Sequence, residues 1–402
     1  MNRLMYMHSI SKLVLERGKN NLKDFSMKYI DRKKSVITGK DNLEQLYTFK
    51  DFPVFFGCVD HGSEKDIRAD MSWAICPESG VIQLDKLIPL DILYQEQHVD
   101  GTGPTWERFY EDFAQYIVCQ SPKNVLEIGG GAGKLAHLVT KQLPEATWTV
   151  VEPNPWVEET EQIKVVSSFF DEKFKFSGDI DTVVFSQVME HAYDPHAFVR
   201  SIAKFLKIGG KLACAYPNLT SWLQNKYTNA INFEHNMFLT DYFVDFFFKK
   251  YGFEIRDKHF YEDHSVYYTV EKVSDEVSNP PFENKYEEYK KIFADYIEYY
   301  ETLVTDLNKK IEAFDGDVYV FGAHIFAQHL FEVGLNKERI VGVLDNSPLK
   351  ENKRLYGTSL YVQKPDVIKN KERVAVVLKV GVHRDDILKQ LISINPKVVI
   401  LE

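Results

Sequence analysis

Hydrophobic residues change their spacing several times along the chain, and each change predicts a different layer of structure. From Asn124 onward short apolar runs (NVLEIG, WTVVEP, IKVVSSF, DTVVFSQV and KLACAYP) alternate with segments whose apolar residues recur every three or four positions, GKLAHLVTKQL and HAFVRSIAKFL. Short continuous apolar runs read as strands buried on both faces, and the longer period reads as amphipathic helix. Strands and helices in alternation predict a doubly wound α/β sheet that takes its ligands at the carboxyl ends of its strands. After Pro217 a polar loop, NKYTNAINFEHNMF, leads into an aromatic-rich helix ending at Gly252. That loop falls where a substrate would lie.

Residues 282–313 contain neither proline nor glycine and repeat their aromatic and aliphatic positions at helical spacing, which predicts one long helix connecting two domains. Beyond it, DVYVFGAHIFAQHLFEVGL, RIVGVLDNSP and RVAVVLKV repeat the alternation and predict a second, smaller Rossmann-like unit. Its turn has Gly322 without further glycines, and Asp345 ends the next strand, so a structural or substrate-holding role is expected rather than a second cofactor. Before residue 124 short extended runs separated by turn residues predict a small, irregular N-terminal domain. The expected units are 1–104, 105–272 and 273–402.

The totals narrow the function classes. A chain of 402 residues exceeds one hydrophobic core. With 49 basic and 59 acidic side chains its net charge is -10, which argues against nucleic acid as the main partner. Four scattered cysteines suit free thiols in a reducing compartment, and no run approaches a bilayer span, so a cytoplasmic protein with no membrane insertion is expected.

The sharpest local signal is VLEIGGGAGKLA, residues 125–136. Glycine at a strand-to-helix bend tolerates positive φ and lets a ligand approach the backbone. A Walker A loop fails, because Ile128 stands where its first glycine belongs and Leu135 where a hydroxyl should hold magnesium. A dinucleotide loop finds Lys134 at its third glycine. Acid-x-G-x-G-x-G does fit, with Glu127, Gly129, Gly131 and Gly133, and it resembles the loop of class I S-adenosylmethionine (SAM) methyltransferases. The resemblance implies SAM as cofactor, with Glu127 bearing on its amino group directly or through water and Glu152 accepting its ribose hydroxyls. It also implies that Pro153, Ser168 and Phe169 flank the adenine, while Ser186 and Gln187 open the crevice toward substrate. A nicotinamide enzyme is the alternative for the same acid at a strand end.

Together with VVEPNP, DTVVFSQVMEHAYDPHAFV, the FEH loop and the closing GAHIFAQ to VLDNSPLKENKRLYGTSLYV, the loop resembles the three-domain sugar C-methyltransferases of deoxysugar biosynthesis. The resemblance implies a Rossmann-like SAM methyltransferase core between a small N-terminal substrate-binding domain and a smaller Rossmann-like C-terminal domain. It implies a nucleotide-linked keto-sugar as the small-molecule partner, deprotonated next to its keto group and methylated on that carbon. His235 is then the expected base, Glu234 orients or charges it, and His191 lies near the reacting centre. The family's N-terminal domain holds zinc in two C-x-x-C-G knuckles; here their places read SVITG and CPESG, leaving Ser35, Thr38, Cys76 and Ser79. Hydroxyls are poor zinc ligands, so no metal is expected there, the alternative being a site rebuilt with Cys58, His61 and Cys76. Asn232 stands where the family has a tyrosine, and His98 falls where the N-terminal domain offers another. These departures leave O-methylation, or a binding module without catalysis, as alternatives.

Overall fold

The computed structural model describes residues 28–94, 104–379 and 384–402. Its largest sheet contains β1 (Asn124–Ile128), β2 (Thr147–Val151), β3 (Ile163–Val166), β4 (Thr182–Ser186), β5 (Lys211–Pro217), β6 (Phe253–Tyr261) and β7 (Ser265–Lys272), in the order β3-β2-β1-β4-β5-β7-β6. The pairs from β3 to β5 are parallel, and β7 runs antiparallel to both β5 and β6. Because the order reverses between β1 and β4, a crevice opens at their carboxyl ends. The glycine loop and the Ser186–His191 turn flank that crevice.

Both faces of this sheet are covered, which explains the nearly unbroken apolar runs. Phe109, Phe113, Leu135, Trp148 and Tyr267 pack on one face beneath α1 (Pro104–Val118) and α2 (Lys134–Thr140). Leu126, Phe185, Phe198 and Ile202 pack on the other, beneath α3 (Pro195–Phe205). The DPHAF sequence starts α3 by two local devices: Asp194 accepts the Ala197 N–H at 2.9 Å, and Pro195 occupies the first turn. Removing a ring such as that of Phe185, fully buried, costs about 3–5 kcal/mol in cores of this kind.

The second face does not end at the domain edge. Its apolar cluster continues through Phe52, Trp73 and Leu84 of the N-terminal segment and into Val320, Leu330 and Val343. The N-terminal segment is a three-stranded antiparallel sheet of Glu44–Pro53, Arg68–Ile75 and Ile82–Leu84. The C-terminal sheet contains β8 (Asp317–Phe321), β9 (Ile340–Leu344), β10 (Val362–Gln363), β11 (Val374–Val377) and β12 (Val399–Leu401), all parallel, in the order β10-β9-β8-β11-β12.

A single helix, α4 (Tyr286–Ala313), joins the sheets. Its buried residues Tyr289, Phe293, Tyr296, Tyr300, Val304, Leu307 and Ile311 form one stripe at three- and four-residue spacing. Tyr289 Oη lies 2.9 Å from Thr240 Oγ1, Tyr296 Oη lies 3.2 Å from His329, and Tyr47 Oη donates to Glu301 at 3.2 Å. The helix thus touches all three sheets' units rather than bridging two. No described helix is long and apolar enough to cross a membrane.

Candidate functional site

The loop after β1 has the backbone its glycines suggested. Gly129, Gly131 and Gly133 take φ values of 72°, 51° and 74°, a region that disfavours every side chain. A Cβ on Gly129 would stand 2.7 Å from Val188, and one on Gly133 would stand 2.5 Å from Val157, so the segments that follow β4 and β2 close over the loop. Glu127 is buried beneath it: Trp148 Nε1–H donates to one carboxylate oxygen at 2.6 Å, and a Cβ on Gly130 would sit 3.0 Å from the carboxyl carbon. Its place is under the bend, bracing the loop.

Glu152, at the end of β2, is half-buried, and its Oε1 accepts the Asn154 N–H at 3.1 Å. Pro153 is half-buried beside it, Ser168 donates to the Phe169 carbonyl, and the Phe169 ring is exposed at the rim. At the end of β4 the buried Ser186 Oγ has no hydrogen-bond partner among the described residues. Gln187 follows at φ 56°, a left-handed conformation that glutamine rarely adopts. Two bonds hold it there: its N–H donates to Ala215 at 2.9 Å, and its side-chain amide donates to Ser265 Oγ at 3.0 Å. Ser265 Oγ in turn lies 2.8 Å from His264 Nδ1. An orphaned hydroxyl, a forced glutamine and a cradle free of side chains all suit a bound cofactor with a ribose and a cationic amino acid.

The second half of the site gathers Glu190, His191, Glu234 and His235. His191 Nδ1 is 3.6 Å from Glu234 and its Nε2 is 3.8 Å from Glu190. The His191 and His235 rings meet edge to face at 5.4 Å, and Trp222 lies 6.0 Å from His235. Burial pushes the Glu190 carboxyl up to about 8, with the Glu234 charge adding to the effect. The carboxylate nearest His191 is therefore Glu234, whose charge also acts on His235. His235 has Nδ1 at 3.1 Å from the Asn232 amide. His98 lies outside the described residues. The phenol of Tyr94 stands near Glu234, Tyr193, Glu190 and Glu152; burial first, and then these groups, push its pKa up.

Further residues line the site that no local motif announced. Trp106 of α1 packs on His264 at 4.8 Å, and Lys134 lies 4.9 Å over the Tyr110 ring. Asn236 donates to the Glu190 carbonyl at 3.0 Å, so the FEHN loop and the MEH turn are tied directly.

The two N-terminal turns keep the same shape. Gly39 N–H donates to Ser35 and Gly80 N–H to Cys76, at 2.9 and 2.8 Å, with both glycines left-handed. Thr38 Oγ1 lies 3.7 Å from Cys76 Sγ. Burial raises the Cys76 thiol, but hydrogen bonds from Ser35, Ser79, Glu78 and Thr38 outweigh it and bring it below its ordinary value. Cys58 instead donates to the Ala323 carbonyl, and His61 lies beside Asp66, so among the described residues the three do not form one metal-compatible cluster. In the C-terminal unit Asp345 is occupied internally, by Ala323 N–H and Lys350 on one oxygen and Ser347 N–H on the other.

Residues 102–258 match a family described as "Methyltransferase domain". No curated protein matches the chain. Solved structures that align include the complex of the Haloferax volcanii Trm112 methyltransferase activator with a methyltransferase, at 14% identity over 42% of this chain and 93% of that one, TM-score 0.35. Another is human N-acetylserotonin methyltransferase with SAM, at 18% identity over 42% of this chain and 53% of that one, TM-score 0.36. A third is the N-methyltransferase NodS from Bradyrhizobium japonicum, at 15% identity over 42% and 98%, TM-score 0.32. The chain thus spans about half the length of the human enzyme. Its central segment, residues 102–258, matches a methyltransferase domain and has a Rossmann-like α/β fold.

Proposed function

We propose that this protein uses SAM to methylate a small molecule, a nucleotide-linked keto-sugar, at a carbon next to the keto group. The observation that carries the reading is the meeting of two histidines and a carboxylate, His191, His235 and Glu234, in the turn and loop that follow the cofactor-side strands. Carbon methylation needs a base beside a group that steadies an oxyanion, and a paired set of this kind supplies both.

The loop of Gly129, Gly131 and Gly133 would hold the amino-acid end of SAM, with Glu127 bracing it from beneath. Glu152 would take the ribose hydroxyls, Pro153, Ser168 and Phe169 would border the adenine, and Ser186 and Gln187 would face the reacting side. When bound, SAM supplies an electrophilic methyl group and leaves as a neutral thioether. The protein's part is proton movement and orientation. A base in the cluster removes the C–H proton, the electron pair left on carbon forms the new C–C bond, the S–C bond breaks toward sulfur, and the proton passes to water.

The alternative with an observation behind it is O-methylation, since Asn232 replaces a phenol and a hydroxyl proton is easier to remove. The test is incubation of the full chain with SAM and a panel of nucleotide-sugars, keto and reduced. A product heavier by one methyl group from keto-sugars alone supports C-methylation. Methylation of the reduced sugars supports the alternative, and no methylated sugar from either set overturns the substrate class.

A further inference from the structure

Asn232 has a definite orientation, and it determines what His235 can do. Its Oδ1 accepts the backbone N–H of His235 at 2.7 Å, and its Nδ2 donates to the Asn229 carbonyl at 2.9 Å. Turning the amide over would set NH₂ against an N–H and oxygen against a carbonyl, two repulsive contacts, so the backbone fixes which end is which. The other Nδ2 hydrogen faces His235 Nδ1 at 3.1 Å. An amide NH₂ can only donate, so Nδ1 accepts, and the neutral ring carries its proton on Nε2.

The surroundings keep the ring neutral. Burial, reinforced by His191, drives the His235 pKa down to about 3, against the opposing pull of Glu234 and the Asn229 and Ala230 carbonyls. The rings of Trp222 and His191 pack beside it. A ring in this state has no lone pair at Nε2 with which to take a proton, and the lone pair at Nδ1 is already engaged. It can donate a hydrogen bond.

We infer that Asn232 is a positioning residue that locks His235 as the Nε2–H tautomer, that His235 donates to the substrate oxygen on which negative charge develops, and that His191, flanked by Glu234, takes the proton. This division of labour rests on the methyl-transfer reading above. The proton moves from substrate to the His191 ring and then to water, and the substrate's electron pair goes to the incoming methyl. Glu190, His191 and His235 also offer atoms within 4.8 Å of one another, a spacing that metal sites approach. Coordination through His235 Nε2 would need Nδ1 to donate, and Asn232 prevents that.

The tautomer is read without substrate or methyl transfer. Full-length protein labelled with ¹⁵N-histidine, assigned by its His235→Gln variant, is examined by long-range ¹H–¹⁵N correlation between pH 8 and 5. The expected spectrum shows His235 protonated on Nε2 only, and unmoved by pH over that range. In Asn232→Asp the new carboxylate accepts from Nδ1, so the proton appears on Nδ1 or the ring titrates within the range. A wild-type His235 protonated on Nδ1, or titrating near its ordinary value, overturns the inference.

The division of roles is read separately in pH profiles of methyl transfer. Glu190, Glu234 and His235 face His191, with the Tyr94 and Tyr193 phenols near Glu234. His191→Gln should lower kcat by on the order of 100-fold or more and abolish the rise of rate with pH. His235→Gln should lower kcat on the order of 100-fold yet keep that rise. The opposite pattern overturns the assignment of the base. If no sugar is methylated while the tautomer is as expected, the substrate reading fails and the positioning of His235 stands.

Discussion

Arg32 Nη1 donates to Asn236 Oδ1 across 2.7 Å, joining the N-terminal segment to the residue that follows Glu234 and His235. The same guanidinium donates to the Leu84 carbonyl at 3.0 Å and to the Asn236 carbonyl. Asn236 passes the constraint on, through its amide, to the Glu190 carbonyl in the MEH turn. Burial lowers the Arg32 pKa to about 10, which still leaves it charged near neutrality.

Replacing Arg32 by methionine removes three charge-assisted bonds and leaves buried acceptors behind. Stability to urea should fall by about 2–3 kcal/mol, and turnover should fall further than SAM affinity, because the loop and turn both lose their shared anchor. Arg32→Lys, with charge but no fork, should lie between wild type and the methionine variant. Paired denaturation and kinetic measurements check the order; an unchanged midpoint in Arg32→Met would remove the anchor from the fold's support.

A pH effect follows from His329. It is fully buried, with Nε2 at 3.2 Å from Tyr296 and Nδ1 without a partner among the described residues, and burial lowers its pKa to about 3. The unfolded chain takes up this proton near pH 6.5 and the native chain does not. Its contribution is therefore present above about pH 6.5 and is lost as pH falls toward 3. Between pH 7 and 5 the wild type should lose about 2 kcal/mol more than His329→Phe. Urea unfolding of both at the two pH values gives the comparison, and parallel losses would show that His329 titrates normally.

The N-terminal turns give a third expectation. Ser35, Thr38 and Ser79 surround Cys76 with hydroxyls where a tetrahedral zinc site would need thiolates or imidazoles. Protein purified without chelator should contain far less than one zinc per chain. One tightly held zinc, lost on Cys76→Ala, would show that this donor set is sufficient after all.

The α/β alternation of the core and the glycine loop were legible because their signals are local: apolar runs of strand length, and three glycines whose spacing matches three left-handed residues. Helix α4 was legible for the same reason, with its start four residues later than the pattern suggested. The arrangement of the candidate site was only partly so. His191, Glu234 and His235 are candidates by type and position, yet their pairing depends on contacts between segments far apart in sequence. Asn232 reads as a departure from a pattern, and only its three hydrogen bonds show that it sets a tautomer. Arg32, Tyr94, Trp106 and His264 carry no local mark, because what brings each to the site is packing of the N-terminal segment, α1 and the β6–β7 turn. Gln187 is named by its position after β4, but its left-handed backbone is not legible, since neighbours force it and not its own side chain.

The cofactor cradle is tested most directly by calorimetric titration of the full chain with SAM. One equivalent should bind per chain. Gly133→Ala should weaken binding tenfold or more, about 1.4 kcal/mol, because a Cβ there meets Val157 in a left-handed turn. Glu152→Ala should weaken it to a similar extent. No heat with the wild type, or equal affinity in all three proteins, would contradict the assignment of this loop to SAM.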